Sequence, residues 1–124
     1  MNHKIFLAQF EAIKKLAGEG PCVMVGRCAD YALAELDNCF SVFIHSDLDT
    51  RIRRIAKEYD MRDNKARDAI LKTDKSRSSY YNYYTNKRWG DATSYNMCID
   101  SGKMGFDKTV KCIIQALKIF EGQD

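Results

Sequence analysis

Apolar positions recur at helical spacing over residues 3–17, where Phe6, Phe10, Ile13 and Ala17 form one stripe with Leu16 beside it. Gly18 and Gly20 end that run. The pattern then changes period. Residues 21–25 (PCVMV) are apolar on both faces and bounded by Pro21 and Gly26, as in a buried parallel strand. A polar turn, GRCAD, leads into a short helical stretch, YALAEL. FSVFIH (40–45) predicts a second buried strand. Ser46 is placed to cap the next helix, with Asp49 three residues on to complete a capping box. In that helix, over 47–59, Leu48, Ile52, Ile55 and Tyr59 form the apolar stripe, while Arg51, Arg53, Arg54 and Lys57 carry charge. A long helix over 64–84 begins with Ala66, Ala69 and Ile70 inward and becomes tyrosine-rich. YNMCI (95–99) predicts a third strand, ending at Asp100. Over 106–120, Phe106, Val110, Ile113, Ile114 and Leu117 share one helical face. This alternation of helices and strands predicts an α/β fold with a parallel sheet.

Composition adds boundaries to that picture. The 124 residues suit a single domain, with one proline and no linker, repeat or low-complexity tract. A 45% apolar content excludes a disordered chain, and no run of about 18 apolar residues exists to cross a bilayer. The start, MNHKIFLAQFEAIKK, does not read as a secretory leader. Twenty Lys and Arg against 17 Asp and Glu leave a net charge of +3, too weak to imply duplex DNA as partner. Cys22, Cys28, Cys39, Cys98 and Cys112 are odd in number and contain no C-x-x-C pair. They read as reduced cysteines of a cytoplasmic protein and not as a zinc site or disulfide framework.

In open parallel sheets, ligands bind beyond the carboxyl ends of the strands. Those ends carry Gly26-Arg27-Cys28-Ala29-Asp30, His45-Ser46-Asp47 and Asp100-Ser101-Gly102. Arg27, just after a strand and a glycine, can grip a phosphate with its guanidinium fork, or can pair with Asp30 as a solvated loop residue. Lys72-Thr73-Asp74-Lys75-Ser76-Arg77 and Lys87-Arg88 form the main cationic cluster. Helical spacing sets Lys75 and Arg77 on different flanks, able to close around a phosphate chain. Tyr80, Tyr81, Tyr83, Tyr84 and Trp89 either offer stacking faces to single-stranded nucleic acid or pack on the domain. Asp100 is either a functional carboxylate or the cap of the following turn, and His45 is a weaker candidate for chemistry than for a core hydrogen bond. No G-x-S-x-G, H-E-x-x-H or G-x-G-x-x-G occurs, and no metal site is read.

Taken together, GPCVMVGRCADYAL (20–33), VFIHSDLDTRIRRI (42–55), LKTDKSRSSYYNYYTNKRWGD (71–91) and YNMCIDSGKMG (95–105) resemble the cytidylate kinase-like family of nucleoside monophosphate kinases. The resemblance implies a P-loop kinase fold of three α/β/α layers, and transfer of the ATP γ-phosphoryl group to a pyrimidine nucleoside monophosphate such as CMP. ATP and Mg²⁺ are the implied cofactors. Arg27, Asp30, Tyr31 and Asp74 are then acceptor-binding residues. Asp74 and Arg77 resemble the D-x-x-R of a mobile lid, here about 72–91, with Arg77, Lys75 and Arg88 as the catalytic cations. Asp100 and Ser101 correspond to the nucleotide-binding end of the last core strand. One departure is that the family's glycine–arginine–aspartate run becomes Gly26-Arg27-Cys28, with the aspartate delayed to Asp30.

The 124 residues contain no G-x-x-x-x-G-K-[ST] and no relaxed glycine-rich substitute. The chain therefore reads as one domain resembling the C-terminal part of such a kinase, with the first strands of the sheet missing. It is expected to be inactive alone and to bind no ATP or Mg²⁺ by itself. In the family's sheet the missing strand separates those matching 21–25 and 40–45, so homo-oligomerisation through exposed sheet edges is expected. The competing reading is a non-catalytic module that binds a protein or single-stranded nucleic acid.

Overall fold

The computed structural model describes residues 3–26 and 28–122. Helix α1 spans His3–Glu19 and buries Phe6 and Ile13 of the expected stripe. A one-turn helix, α2 (Ala29–Ala32), follows. Strand β1 (Val42–His45) leads into α3 (Leu48–Glu58), and a short turn leads to the long helix α4 (Asp63–Thr85). After a 3₁₀ turn at Ala92–Ser94 come β2 (Met97–Asp100), the one-turn α5 (Ser101–Met104) and α6 (Phe106–Phe120). No helix among the described residues is long and apolar enough to cross a membrane.

The sheet is parallel and has two strands, with Val42 opposite Met97 and His45 opposite Asp100. This register brings both carboxyl ends level, so His45-Ser46 and Asp100-Ser101 emerge side by side. The α/β character and the parallel pairing are as the sequence pattern predicts. The sheet is smaller than predicted.

Residues 21–25 do not form the expected strand. They have no regular secondary structure, with Val23 at 93% and Val25 at 89% exposure. A run that is apolar on both faces is a strand only when neighbours hold its edges, and no described strand lies beside it. The N-cap of α3 is also displaced from expectation. Asp47, one residue after Ser46, accepts from the backbone N–H of Thr50 at 3.0 Å and from its hydroxyl at 2.7 Å. A carboxylate is the stronger acceptor, and this frame puts Thr50 at the third helical position. Both bonds hold the Asp47 carboxyl below the usual carboxylate range.

The core is aromatic. Phe6, Cys28 and Tyr81 form its buried centre, and Phe10, Tyr31, Tyr80, Tyr84 and Trp89 pack against it. Phe6 and Tyr84 stack with centroids 4.1 Å apart and planes 8° from parallel. The tyrosine-rich half of α4 is thus an inward face that docks α1. Asn86, at φ 57°, stops α4 in the left-handed conformation that asparagine tolerates. Its side-chain neighbour Asn82 then accepts from the Trp89 N–H at 2.8 Å, which turns Trp89 back toward the sheet.

Candidate functional site

A cleft of about 280 Å³ opens at the carboxyl ends of β1 and β2. Arg51 and Arg54 reach it from α3, and Asp74 and Arg77 from α4. Both pairs are spaced i, i+3, which puts each pair on one helix face. Ser46 and Ser101 border the cleft from the strand ends, with Phe43 and Trp89 as its aromatic wall. Those two rings meet edge to face at 5.4 Å.

The guanidiniums differ in what they already hold. Both Arg51 terminal nitrogens donate to Asp74, at 2.7 Å each, in a bidentate pair between α3 and α4. The pairing raises the already high pKa of Arg51, so its charge is permanent. Arg54 donates to the Ser101 hydroxyl at 3.0 Å and to its carbonyl at 2.8 Å. Its guanidinium also lies 4.2 Å from the centroid of Phe106. The Arg77 side chain makes no hydrogen bond or ion pair with any described residue. It is the cation of the cleft that an incoming anion meets unengaged.

The floor is close-fitting. Ser101, which is buried, donates to the His45 carbonyl at 3.3 Å and so stitches the two strand ends together. The Asp100 carboxylate caps α5 by accepting from the N–H groups of Gly102 and Lys103, at 2.9 and 3.2 Å. A Cβ at Gly102 would collide with the Ser46 hydroxyl and crowd the carboxylates of Asp47 and Asp100. Ser46 Oγ is buried and has no partner.

Asp30 lies elsewhere. It borders a second hollow, of about 320 Å³, with Ser41 and Asn96 from the amino ends of the strands. The Tyr81 hydroxyl donates to Asp30 at 2.6 Å. Burial, and then the nearby Asp30 carboxylate, push the Tyr81 pKa well up. The same two influences raise the Cys28 thiol to about 11.

The cleft suits phosphate better than metal. Its one acidic side chain, Asp74, is engaged by Arg51, and no group of three or more His, Cys, Asp or Glu residues among those described could hold a metal ion. The model of the cytidylate kinase-like family matches residues 1–103. The chain belongs to that family. It is also similar to the crystal structure of an uncharacterized protein from Eubacterium ventriosum ATCC 27560, at 34% identity and a TM-score of 0.90. That match covers 94% of this chain and 66% of the other, so the chain spans about two thirds of its solved relative's length. No curated protein matches the chain.

Membership in the cytidylate kinase-like family makes the placement of the sequence-derived candidates informative. Asp74, Arg77 and Ser101 line one cleft. Asp100 adjoins it, with its carboxylate committed to the α5 cap. Asp30 is bonded to Tyr81 in the other hollow, and Tyr31 packs half-buried against Phe10, with centroids 6.1 Å apart. Lys75 and Arg88 are exposed and border neither hollow. Arg27 lies outside the described residues. The His45 ring is exposed at the cleft, while its backbone carbonyl serves Ser101. Sequence reasoning read Arg51 and Arg54 only as charges on the helix face. Their i, i+3 spacing just after a strand end was the available signal.

Proposed function

We propose that this cleft binds the phosphate groups of a nucleotide, and that the chain supplies the lid side of a nucleoside monophosphate kinase. The reaction is transfer of the ATP γ-phosphoryl group to a pyrimidine monophosphate such as CMP. One observation carries the reading. Three guanidiniums line a single cleft against one carboxylate, at the sheet end where ligands of parallel folds bind.

In this reading Arg77 meets the transferring phosphoryl group and stabilises the charge that spreads over its oxygens. Arg51 and Arg54 hold neighbouring phosphates, with Lys75 and Arg88 adding positive potential around the lid. Asp74, Asp30, Tyr31 and Arg27 serve the acceptor, and Asp100 and Ser101 shape the nucleotide end of the cleft. ATP and Mg²⁺ belong to the complete reaction. The 124 residues hold no glycine-rich phosphate loop, so the isolated chain is expected to bind nucleotide without turning it over. The stacking platform that single-stranded nucleic acid needs is weakly supported. Tyr80, Tyr81, Tyr84 and Trp89 pack inward, and Tyr83 is left exposed.

Calorimetric titration with CMP and with inorganic pyrophosphate tests the reading. Both should bind, and Arg77→Ala should weaken them by about tenfold, the effect of one charge-assisted contact. Equal affinity in the variant, or tight binding of an oligonucleotide in place of both ligands, would overturn it. ADP production from ATP and CMP should stay at blank; turnover lost in Arg77→Ala would disprove the expected inactivity.

A further inference from the structure

Arg54 is held in a way that the other two guanidiniums of the cleft are not. Arg51 is fixed by the Asp74 carboxylate, which offsets its charge while orienting it. Arg77 keeps its charge and has no side-chain partner among the described residues to orient it. Arg54 is oriented by uncharged groups. Its Nη1 donates to the Ser101 hydroxyl at 3.0 Å and its Nη2 to the Ser101 carbonyl at 2.8 Å. The Phe106 ring lies against its Cζ, 4.2 Å from centroid to carbon. No described carboxylate pairs with it.

The direction of the Ser101 bonds follows from what each group can do. A guanidinium has no acceptor, so the Ser101 hydroxyl oxygen must accept from Arg54. Its one proton is then spent on the His45 carbonyl, 3.3 Å away. Ser101 is itself pinned, because it opens α5 and the Asp100 carboxylate caps that turn through the N–H groups of Gly102 and Lys103. Buried and with hydroxyl and carbonyl both committed, Ser101 acts through Arg54. Of the five N–H donors of a guanidinium, it engages two and leaves three. Those three remain on a side chain that lines the cleft with its charge intact. A mobile arginine loses rotamer freedom on meeting a phosphate, which costs about three- to tenfold in affinity. Arg54 gives up that freedom when the chain folds.

From these contacts, and on the reading of the cleft as a phosphate site, we infer that Ser101 is a positioning residue. It holds Arg54 ready for a phosphate group without neutralising it, and makes no contact with the ligand.

Nitrogen NMR of the arginine side chains reads the positioning directly. A guanidinium held in one orientation gives separate Nη1 and Nη2 signals, and a rotating one gives an averaged signal. Arg54 should give separate signals in the wild-type chain, and these should broaden and merge in Ser101→Ala. Calorimetric titration with pyrophosphate reads the consequence. Ser101→Ala should weaken binding by about three- to tenfold. In an Arg54→Ala background the same change should alter affinity by less than about twofold. Thr109→Val removes another buried hydroxyl, one that donates to the Gly105 carbonyl at 2.7 Å outside the cleft. It should leave the Arg54 signals and the pyrophosphate affinity as in the wild type. An averaged Arg54 signal in the wild-type chain would overturn the inference without recourse to any variant. So would unchanged affinity in folded Ser101→Ala, an equal loss in the Arg54→Ala background, or an equal loss in Thr109→Val. A wild-type chain that binds no pyrophosphate would overturn the phosphate reading and the inference together, whereas binding that responds to Arg77→Ala and ignores Ser101→Ala would overturn the inference alone.

Discussion

Removing the Asp74 carboxylate should move stability and anion affinity in opposite directions. The Arg51–Asp74 pair joins α3 to α4 by two 2.7 Å bonds, with side chains 31% and 22% exposed. An exposed pair contributes about 0–1 kcal/mol, and breaking a fully buried one costs about 3–5 kcal/mol. The bidentate geometry and intermediate exposure place this coupling at about 1–2 kcal/mol. A double-mutant cycle over Arg51→Ala, Asp74→Ala and the double variant isolates it. Urea unfolding can be followed by the fluorescence of Trp89, the chain's one tryptophan, which packs on Phe43. At about 1–2 kcal/mol/M, either single variant should lower the midpoint by roughly 1 M. The second half uses Asp74→Asn, which keeps the shape and removes the charge. Asp74 competes with any anion for Arg51, so pyrophosphate should bind the variant about three- to tenfold more tightly. A coupling below about 0.5 kcal/mol would refute the energetic argument. Weaker pyrophosphate binding by Asp74→Asn would refute the competition.

Two further perturbations test the packing around the strand ends. Gly102→Ala should destabilise the chain by about 1–3 kcal/mol in the same urea assay, because its methyl group has Ser46 Oγ in its path. Alkaline pH should also weaken the fold. Cys28 is raised from 9.0 to about 11, and Tyr81 and Tyr95 are raised as well, in each case chiefly by burial. The folded state keeps protons that the unfolded chain releases, so stability is full below about pH 9 and declines as pH rises toward 11. The same burial should make Cys28 react slowly with a thiol reagent at pH 8, while the exposed Cys22 and Cys98 react first. A Cys28 rate equal to that of Cys22 would contradict this.

Much of the helical frame was legible because amphipathic period is local. The stripes of α1, α4 and α6 emerge within a few residues of their predicted bounds. The two strands that pair were legible as apolar runs ending in polar turns. Segment 21–25 has the apolar character of β1 and not its structure, since a strand is defined by a neighbour and not by its own residues. The cap of α3 moved by one position because two adjacent oxygens competed for one helix end. In the site, the D-x-x-R spacing of Asp74 and Arg77 was readable, whereas the partners Arg51 and Arg54 depend on how α3 lies against α4. The partner of Asp30 was illegible for the same reason: its bond to Tyr81 spans 51 residues and leaves no local trace.

The aromatic seam between α1 and α4 also changes what the backbone between α1 and α2 has to do. Residues 21–25 of it have no regular structure, are exposed at Val23 and Val25, and are flanked by Gly20 and Gly26 at positive φ. The register of α1 on α4 is set by Phe6 on Tyr84 and by the Tyr80 hydroxyl donating to Gln9 at 3.1 Å. The connecting chain acts chiefly as a tether, which raises the local concentration of α1 at its groove to about the millimolar range. Cutting that tether would turn an intramolecular contact into a bimolecular one of the same geometry, so α1 would become a ligand of the remaining chain.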